Sequence, residues 1–226
     1  MATATLTDRR TSADVVFEDL YDQIISLRLL PGTKISEAEV ADQFGVSRQP
    51  VRDAFNRLGN MRLLRIQPQR ATLVQKFSLK AIEAARFVRL SVELEVVRVA
   101  LARWSGDHAA AFEESLKAQE EGVAAGDALT FHSLDEGFHR LVADAADKPF
   151  AFDLIIRNKA MIDRICVLSL KQAREMDELV GDHRALYESI AAGDADAAEA
   201  TLRLHLTRIE ATIDAVRRAH ADYFED

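Results

Sequence analysis

Asp135 and His139 stand four residues apart, so on a helix they share one face. His183 lies among Leu179, Val180, Leu186 and Tyr187, and His205 lies between Leu202 and Ile209. His139 likewise has apolar partners three or four positions away, so all three imidazoles are expected to point inward. One carboxylate and three imidazoles on three helices can converge on a single divalent ion. That donor set suits zinc, nickel or manganese better than calcium, which prefers oxygen shells. Spacing alone leaves a second reading open, in which each histidine is a hydrogen-bonded core residue and Asp135–His139 is a surface pair. His108 and His220 fall near helix ends and are expected to be exposed. His132, three residues before Asp135, is a candidate supporting partner of the aspartate. Cys166 sits beside Ile165, Val167 and Leu168 and reads as a small core residue.

A second chemistry lies in the first third. Residues 48–76 carry seven Lys/Arg and one acid, Asp53, in a chain whose formal net charge is −8. Residues 1–76 carry 11 Lys/Arg against 9 Asp/Glu, and residues 77–226 carry 18 against 28. Phosphate binding needs local basic charge rather than a basic total.

The elements that must position these groups follow from periodicity. Val16, Leu20, Ile24 and Leu27 stripe a first helix over about Asp14 to Leu29, which Pro31-Gly32 ends. Ser36 with Glu39 has the capping-box spacing and opens a second helix. Gly45 supplies a turn, Ser47 is expected to cap a third helix, and Pro50 falls in its first turn. Val51, Phe55 and Leu58 face inward, leaving Ser47, Arg48, Gln49, Arg52 and Arg57 outward. A helix pair of this kind can lay the start of its second helix in the major groove, where Arg reads guanine and Gln reads adenine. Residues 63–66 and 71–74 read as a two-stranded wing whose tip presents Gln69 and Arg70.

From Ser78 onward about six helices are expected, over 78–104, 107–125, 127–146, 149–170, 173–192 and 194–220. Gly-Asp pairs separate several of them, since Gly suits a helix C-terminus and Asp the next N-cap. The predicted fold is mainly α: an N-terminal winged helix-turn-helix over 1–77 and a C-terminal antiparallel helical bundle over 78–226. The lone cysteine excludes an internal disulfide. The first ten residues lack an apolar run, so no secretory leader is expected, no membrane span is foreseen, and the cytoplasm is the simplest compartment.

The stretch from Leu30-Pro31-Gly32 through Phe44-Gly45-Val46-Ser47-Arg48-Gln49-Pro50-Val51-Arg52 resembles the winged helix of the GntR family. That family's wing usually reads Pro-x-Arg-Gly, and here Ala71 replaces the Gly. Arg89-Leu90-Ser91-Val92-Glu93, Asp135-x-x-Phe138-His139, His183-x-x-Leu186-Tyr187 and His205-Leu206 resemble the all-helical FCD-type effector domain of the FadR-like branch. The resemblance implies that Asp135, His139, His183 and His205 hold a divalent transition metal, with zinc foremost and nickel or manganese as alternatives. It also implies a small carboxylic acid effector at or beside the metal. Arg89 is then a candidate carboxylate clamp, because guanidinium and carboxylate match bidentately, and Arg164 is a weaker one. It further implies a homodimer on an inverted-repeat operator.

The expected function is an effector-controlled transcription regulator rather than an enzyme. Two other classes compete. One is an architectural DNA-binding dimer without an effector. The other is a His/Asp metalloenzyme, which would leave the basic first third unexplained and has no identifiable additional base.

Overall fold

The computed structural model describes residues 10–67, 70–169 and 173–225. The chain divides into two compact units between Lys76 and Phe77. Phe77 falls in the second unit: its N–H donates to the Tyr223 carbonyl at 2.8 Å, and its fully buried ring packs 5.1 Å from that of Phe224.

In the first unit, helix α1 spans Ser12–Ile25 and buries Val16, Leu20, Ile24 and Ile25. A reciprocal capping box between Thr11 and Asp14 starts it. The helix ends earlier than its apolar stripe predicts, because Leu27 takes a left-handed backbone conformation with φ 60°. Helix α2 spans Glu37–Phe44, capped by the Ser36 hydroxyl, which accepts from the Glu39 N–H at 3.1 Å. Gly45, with φ 62°, makes the left-handed turn that a side chain would disfavour. Helix α3 spans Arg48–Asn60 and buries Val51, Ala54, Phe55 and Leu58. Ser47 occupies its N-cap, but its hydroxyl makes no capping bond, contrary to expectation.

The wing is broader than two strands. Strands β1 (Lys34–Ile35), β2 (Leu64–Arg65) and β3 (Thr72–Val74) form an antiparallel sheet in the order β1-β3-β2. Ile35 pairs with Thr72, and Arg65 pairs with Leu73. The segment after Pro31-Gly32 thus anchors the wing from the side opposite β2.

The second unit is helical. It contains α4 (Leu79–Arg103), α5 (Ala109–Ala125), α6 (Ala128–Ala145), α7 (Pro149–Ser169), α8 (Ala173–Ala192), α9 (Ala195–Thr207) and α10 (Ile209–Ala219). The last expected helix is therefore two, divided at Arg208. No Gly or Pro marks that break. Arg208 there turns its guanidinium to α8, with Nη2 2.9 Å from Asp182 Oδ1 and Nη1 3.0 Å from Glu178. Asp127 and Asp194 cap α6 and α9 from their side chains, each after a left-handed Gly, as the Gly-Asp spacing predicts. The main core is aromatic and aliphatic, with Phe112, Phe138, Phe152, Leu186 and Leu202 at its centre.

Candidate metal centre and nucleic-acid surface

The buried stripe of α6 carries Phe131, Phe138, His139 and Val142, and Asp135 shares that face. Helix α8 brings His183 and α9 brings His205 to the same place. Asp135, His139, His183 and His205 each offer a ligand atom, and these atoms all lie within 4.8 Å of one another. The three histidines are 5%, 0% and 6% exposed, so water cannot satisfy them.

Two of the tautomers follow from what holds Nδ1. His139 Nδ1 lies 2.8 Å from Glu93 Oε2. His183 Nδ1 lies 2.7 Å from Gln119 Oε1. His205 Nδ1 lies 3.6 Å from Asp182 Oδ2. His139 and His183 Nδ1 each meet an acceptor and so carry the proton, which leaves their Nε2 atoms with a lone pair; His205 Nδ1, at 3.6 Å, makes no hydrogen bond among the described residues. The Nε2 atoms converge. His139 Nε2 is 3.2 Å from His205 Nε2, and His183 Nε2 is 3.4 Å from Asp135 Oδ1. Buried His183 Nε2 has no hydrogen-bond partner among the described residues. Acceptors gathered at one point repel one another unless a cation meets them, and here Arg89 Nη2 meets one of them, His139 Nε2, at 3.0 Å. The residues therefore fit a divalent ion of the kind that takes nitrogen and oxygen together.

Electrostatics point the same way. Burial pushes His183 well below the usual histidine range, aided by His205, and burial likewise lowers His205. Both are thereby kept neutral, as metal ligation requires. Burial works against ionising Asp135, but the three histidines when protonated, and the permanently charged Arg89, hold the carboxyl far below the usual range.

Arg89 on α4 reaches this centre. Its Nε donates to Glu93 Oε1 at 2.5 Å and its Nη2 lies 3.0 Å from His139 Nε2. It also lines a cavity of about 330 Å3 whose wall includes Asp135, His205 and His132. Arg164 does not join it there. Ile162 and Cys166 of α7 line the cavity, and Arg164 lies two residues from each, on the other side of the helix. Its guanidinium carbon sits 4.6 Å over the Phe77 ring, and burial pushes its pKa down to about 10. Cys166 proves half-buried on the cavity wall, with burial raising its thiol to about 12.

The remaining histidines also depart from expectation. His132 Nε2 lies 3.6 Å from Glu136 and 3.7 Å from Asp163, so it joins a second acidic group instead of supporting Asp135. A buried cation already serves that group: Lys159 Nζ lies 2.8 Å from Glu136 and 2.5 Å from Asp163. His108 and His220 are half-buried, packed on Trp104 and Tyr223.

Several of these supporting residues escaped the sequence reading. Gln119 is the legible one, a polar residue on the stripe Phe112, Leu116, Gln119. Lys159 has the same signature, between the buried Ile155 and Ile162. Glu93 and Asp182 were visible only as neighbours of Arg89 and His183.

In the first unit, Ser47, Arg48, Gln49, Arg52 and Arg57 are all exposed along α3, and Arg70 is exposed at the wing; Gln69 lies outside the described residues. Arg48 and Arg70 make no ion pair among the described residues. Arg52 is clasped by Glu37 of α2 through Nε at 3.2 Å and Nη2 at 3.0 Å. Gln49 donates to Asp53 at 2.9 Å. Arg57 turns instead to α1, pairing with Asp14 at 2.8 Å and lying 3.8 Å over the Phe17 ring. Its geometry is that of a tie between α1 and α3.

Comparison with known proteins matches both units. Residues 12–74 match the family model for bacterial regulatory proteins, gntR family, and residues 85–208 match the FCD domain. The HTH-type transcriptional repressor RspR of Escherichia coli (strain K12) is 31% identical over 211 residues, covering 93% of this chain and 92% of that protein. A protein named as a probable D-xylose utilization operon transcriptional repressor of Paenarthrobacter nicotinovorans is 30% identical, covering 91% and 90%. Among solved structures, McbR/YncC of E. coli superimposes with a TM-score of 0.78 at 20% identity, over 92% of this chain and 99% of that one. A GntR regulator from Rhodococcus sp. RHA1 gives 0.72 at 25% identity, over 90% and 97%.

Proposed function

The chain belongs to the GntR family of bacterial regulatory proteins and carries an FCD domain, and we propose that it is a metal-dependent repressor released or tightened by a small carboxylic acid. As a member of that family it is a DNA-binding transcription regulator and not an enzyme. The observation that carries the finer reading is the gathering of donor atoms of Asp135, His139, His183 and His205 within 4.8 Å of one another, with His139 and His183 held from behind by Glu93 and Gln119.

A divalent ion bound there, zinc first among the candidates, supplies a Lewis-acidic position for a carboxylate. Asp135 contributes one negative charge and neutral imidazoles none, so the centre keeps about one positive charge in a buried place where that is costly. Arg89 is already neutralised by Glu93 in part. A carboxylate effector offsets the remaining charge from the cavity that Asp135, His205 and Arg89 line.

Arg48, Arg52 and Arg70 carry DNA recognition, with Ser47 and Gln49 beside them, in a homodimer on an inverted-repeat operator in the cytoplasm. Arg48 and Arg52 at the start of α3 read bases, and Arg70 at the wing holds phosphate. Among the described residues no helix is long and apolar enough to cross a membrane. Elemental analysis of wild type against a His183→Ala, His205→Ala double variant tests the metal. Wild type should carry one divalent transition metal per chain and the variant almost none; equal content in both removes these residues from the site.

A further inference from the structure

The cavity continues beyond the candidate metal centre, and helix spacing orders its wall. Asp135 and His205 form the inner rung, with His183 fully buried beside them. Phe131 stands one turn from Asp135 on α6 and Leu179 one turn from His183 on α8; both line the cavity, as does Ile209, the first residue of α10 beyond the Arg208 break. A further turn along α8 is Glu175, also on the wall, eight residues from His183 or about 12 Å along the axis. Thr212, three residues past Ile209, lines the same cavity. The wall also carries Arg208 and Glu178, which pair with each other at 3.0 Å. Apart from that pair, the cavity has the metal-ligand end with Arg89, an apolar belt, and the Glu175 carboxylate.

That carboxylate is unlike its neighbours. Glu178 and Asp182 are answered by Arg208. Glu175 Oε2 is buried and has no hydrogen-bond partner among the described residues. Burial, with Glu178 nearby, raises the Glu175 pKa. Its place in the first turn of α8 suits the helix dipole, but the dipole does not account for an unsatisfied oxygen turned into a cavity wall. A buried acceptor of this kind is costly until a donor meets it.

We infer that the effector is a bifunctional acid: a carboxylate at the inner end, a short aliphatic spacer, and a terminal hydrogen-bond donor, hydroxyl or ammonium, that satisfies Glu175. The inference rests on the carboxylate reading above and adds the chemistry of the distal group. A second carboxylate is disfavoured at that end, because it would face Glu175 with like charge while Arg208, the cation on that wall, is already committed to Glu178 and Asp182.

Calorimetric titration of the metal-loaded, full-length protein tests it. The probes are butanoate, pentanoate and hexanoate, their ω-hydroxy and ω-amino derivatives, and the matching dicarboxylates. At the best length a donor-bearing acid should bind at least about tenfold more tightly than the plain acid, a difference of about 1.4 kcal/mol. The dicarboxylate should bind most weakly. Glu175→Gln should reduce the donor's advantage, since the acceptor loses its charge, and relieve the penalty on the dicarboxylate, since an amide can donate. If the plain acids bind as tightly as the donor-bearing ones, the inference is wrong while the carboxylate reading stands. If no acid binds at any length, both fall.

Discussion

Arg89 Nη2 lies 3.0 Å from His139 Nε2, the lone pair that a metal ion would take. A metal ion taking that lone pair would compete with the guanidinium and would leave Arg89 to face the cavity it lines. Arg89→Gln should keep its metal and lose acid binding at least about tenfold, because the charge-assisted bidentate contact goes. Elemental analysis paired with calorimetry separates the two effects. Loss of metal together with acid binding would make Arg89 a support of the centre and not a clamp.

Gln119 accepts from His183 Nδ1 at 2.7 Å, and Asp182 lies 3.6 Å from His205 Nδ1. Gln119→Ala and Asp182→Asn should each weaken metal affinity about 10- to 100-fold with all four ligands intact. Competition with a chromophoric chelator measures this. Unchanged affinity would mean that burial alone fixes the imidazoles.

Arg52 is held by Glu37 in an exposed pair, 54% and 32% accessible, which is worth little to stability. Glu37→Gln should thus free Arg52 and remove a charge that repels phosphate, raising DNA affinity several-fold at low salt. Arg48→Ala should cost about 1–3 kcal/mol of specific binding, and Arg70→Ala should reduce the salt slope by about one. Arg57→Ala should instead lower the unfolding midpoint of the first unit and leave base preference intact. Gel-shift titrations on operator and random DNA, with a parallel denaturant melt, distinguish these outcomes.

Lys159 is 2% exposed between Glu136 and Asp163. Lys159→Met should destabilise the second unit by about 3–5 kcal/mol, since it leaves the buried Asp163 and the half-buried Glu136 without their cation. Added zinc should recover part of the loss, because His132, Glu136 and Asp163 then form a free three-ligand cluster. A variant as stable as wild type would show that water reaches this group.

The sequence made the donors legible and their supports much less so. Asp135 and His139 announce a shared helix face, and His183 and His205 announce inward faces, because helical period is local information. That three helices bring them within 4.8 Å is tertiary and rested on family resemblance until the fold was in hand. Gln119 and Lys159 could have been found as polar interruptions of apolar stripes. Glu175 could not, since nothing local distinguishes a carboxylate facing a cavity from one facing water. The division at Arg208 was equally silent: its partners Glu178 and Asp182 lie a whole helix away in sequence. The third wing strand was missed because Lys34–Ile35 is two residues long and finds its partner only across the fold.

If metal, acid and DNA are coupled through one protein, operator binding measured by fluorescence anisotropy reports that coupling. The titration is run with metal-loaded and metal-stripped full-length protein, with and without a saturating acid from the panel above. The acid should shift operator affinity by about tenfold or more in the loaded protein, a coupling of about 1.4 kcal/mol, and should have no effect in the stripped protein. An operator affinity indifferent to the acid in the loaded protein, or shifted equally with and without metal, would contradict the account.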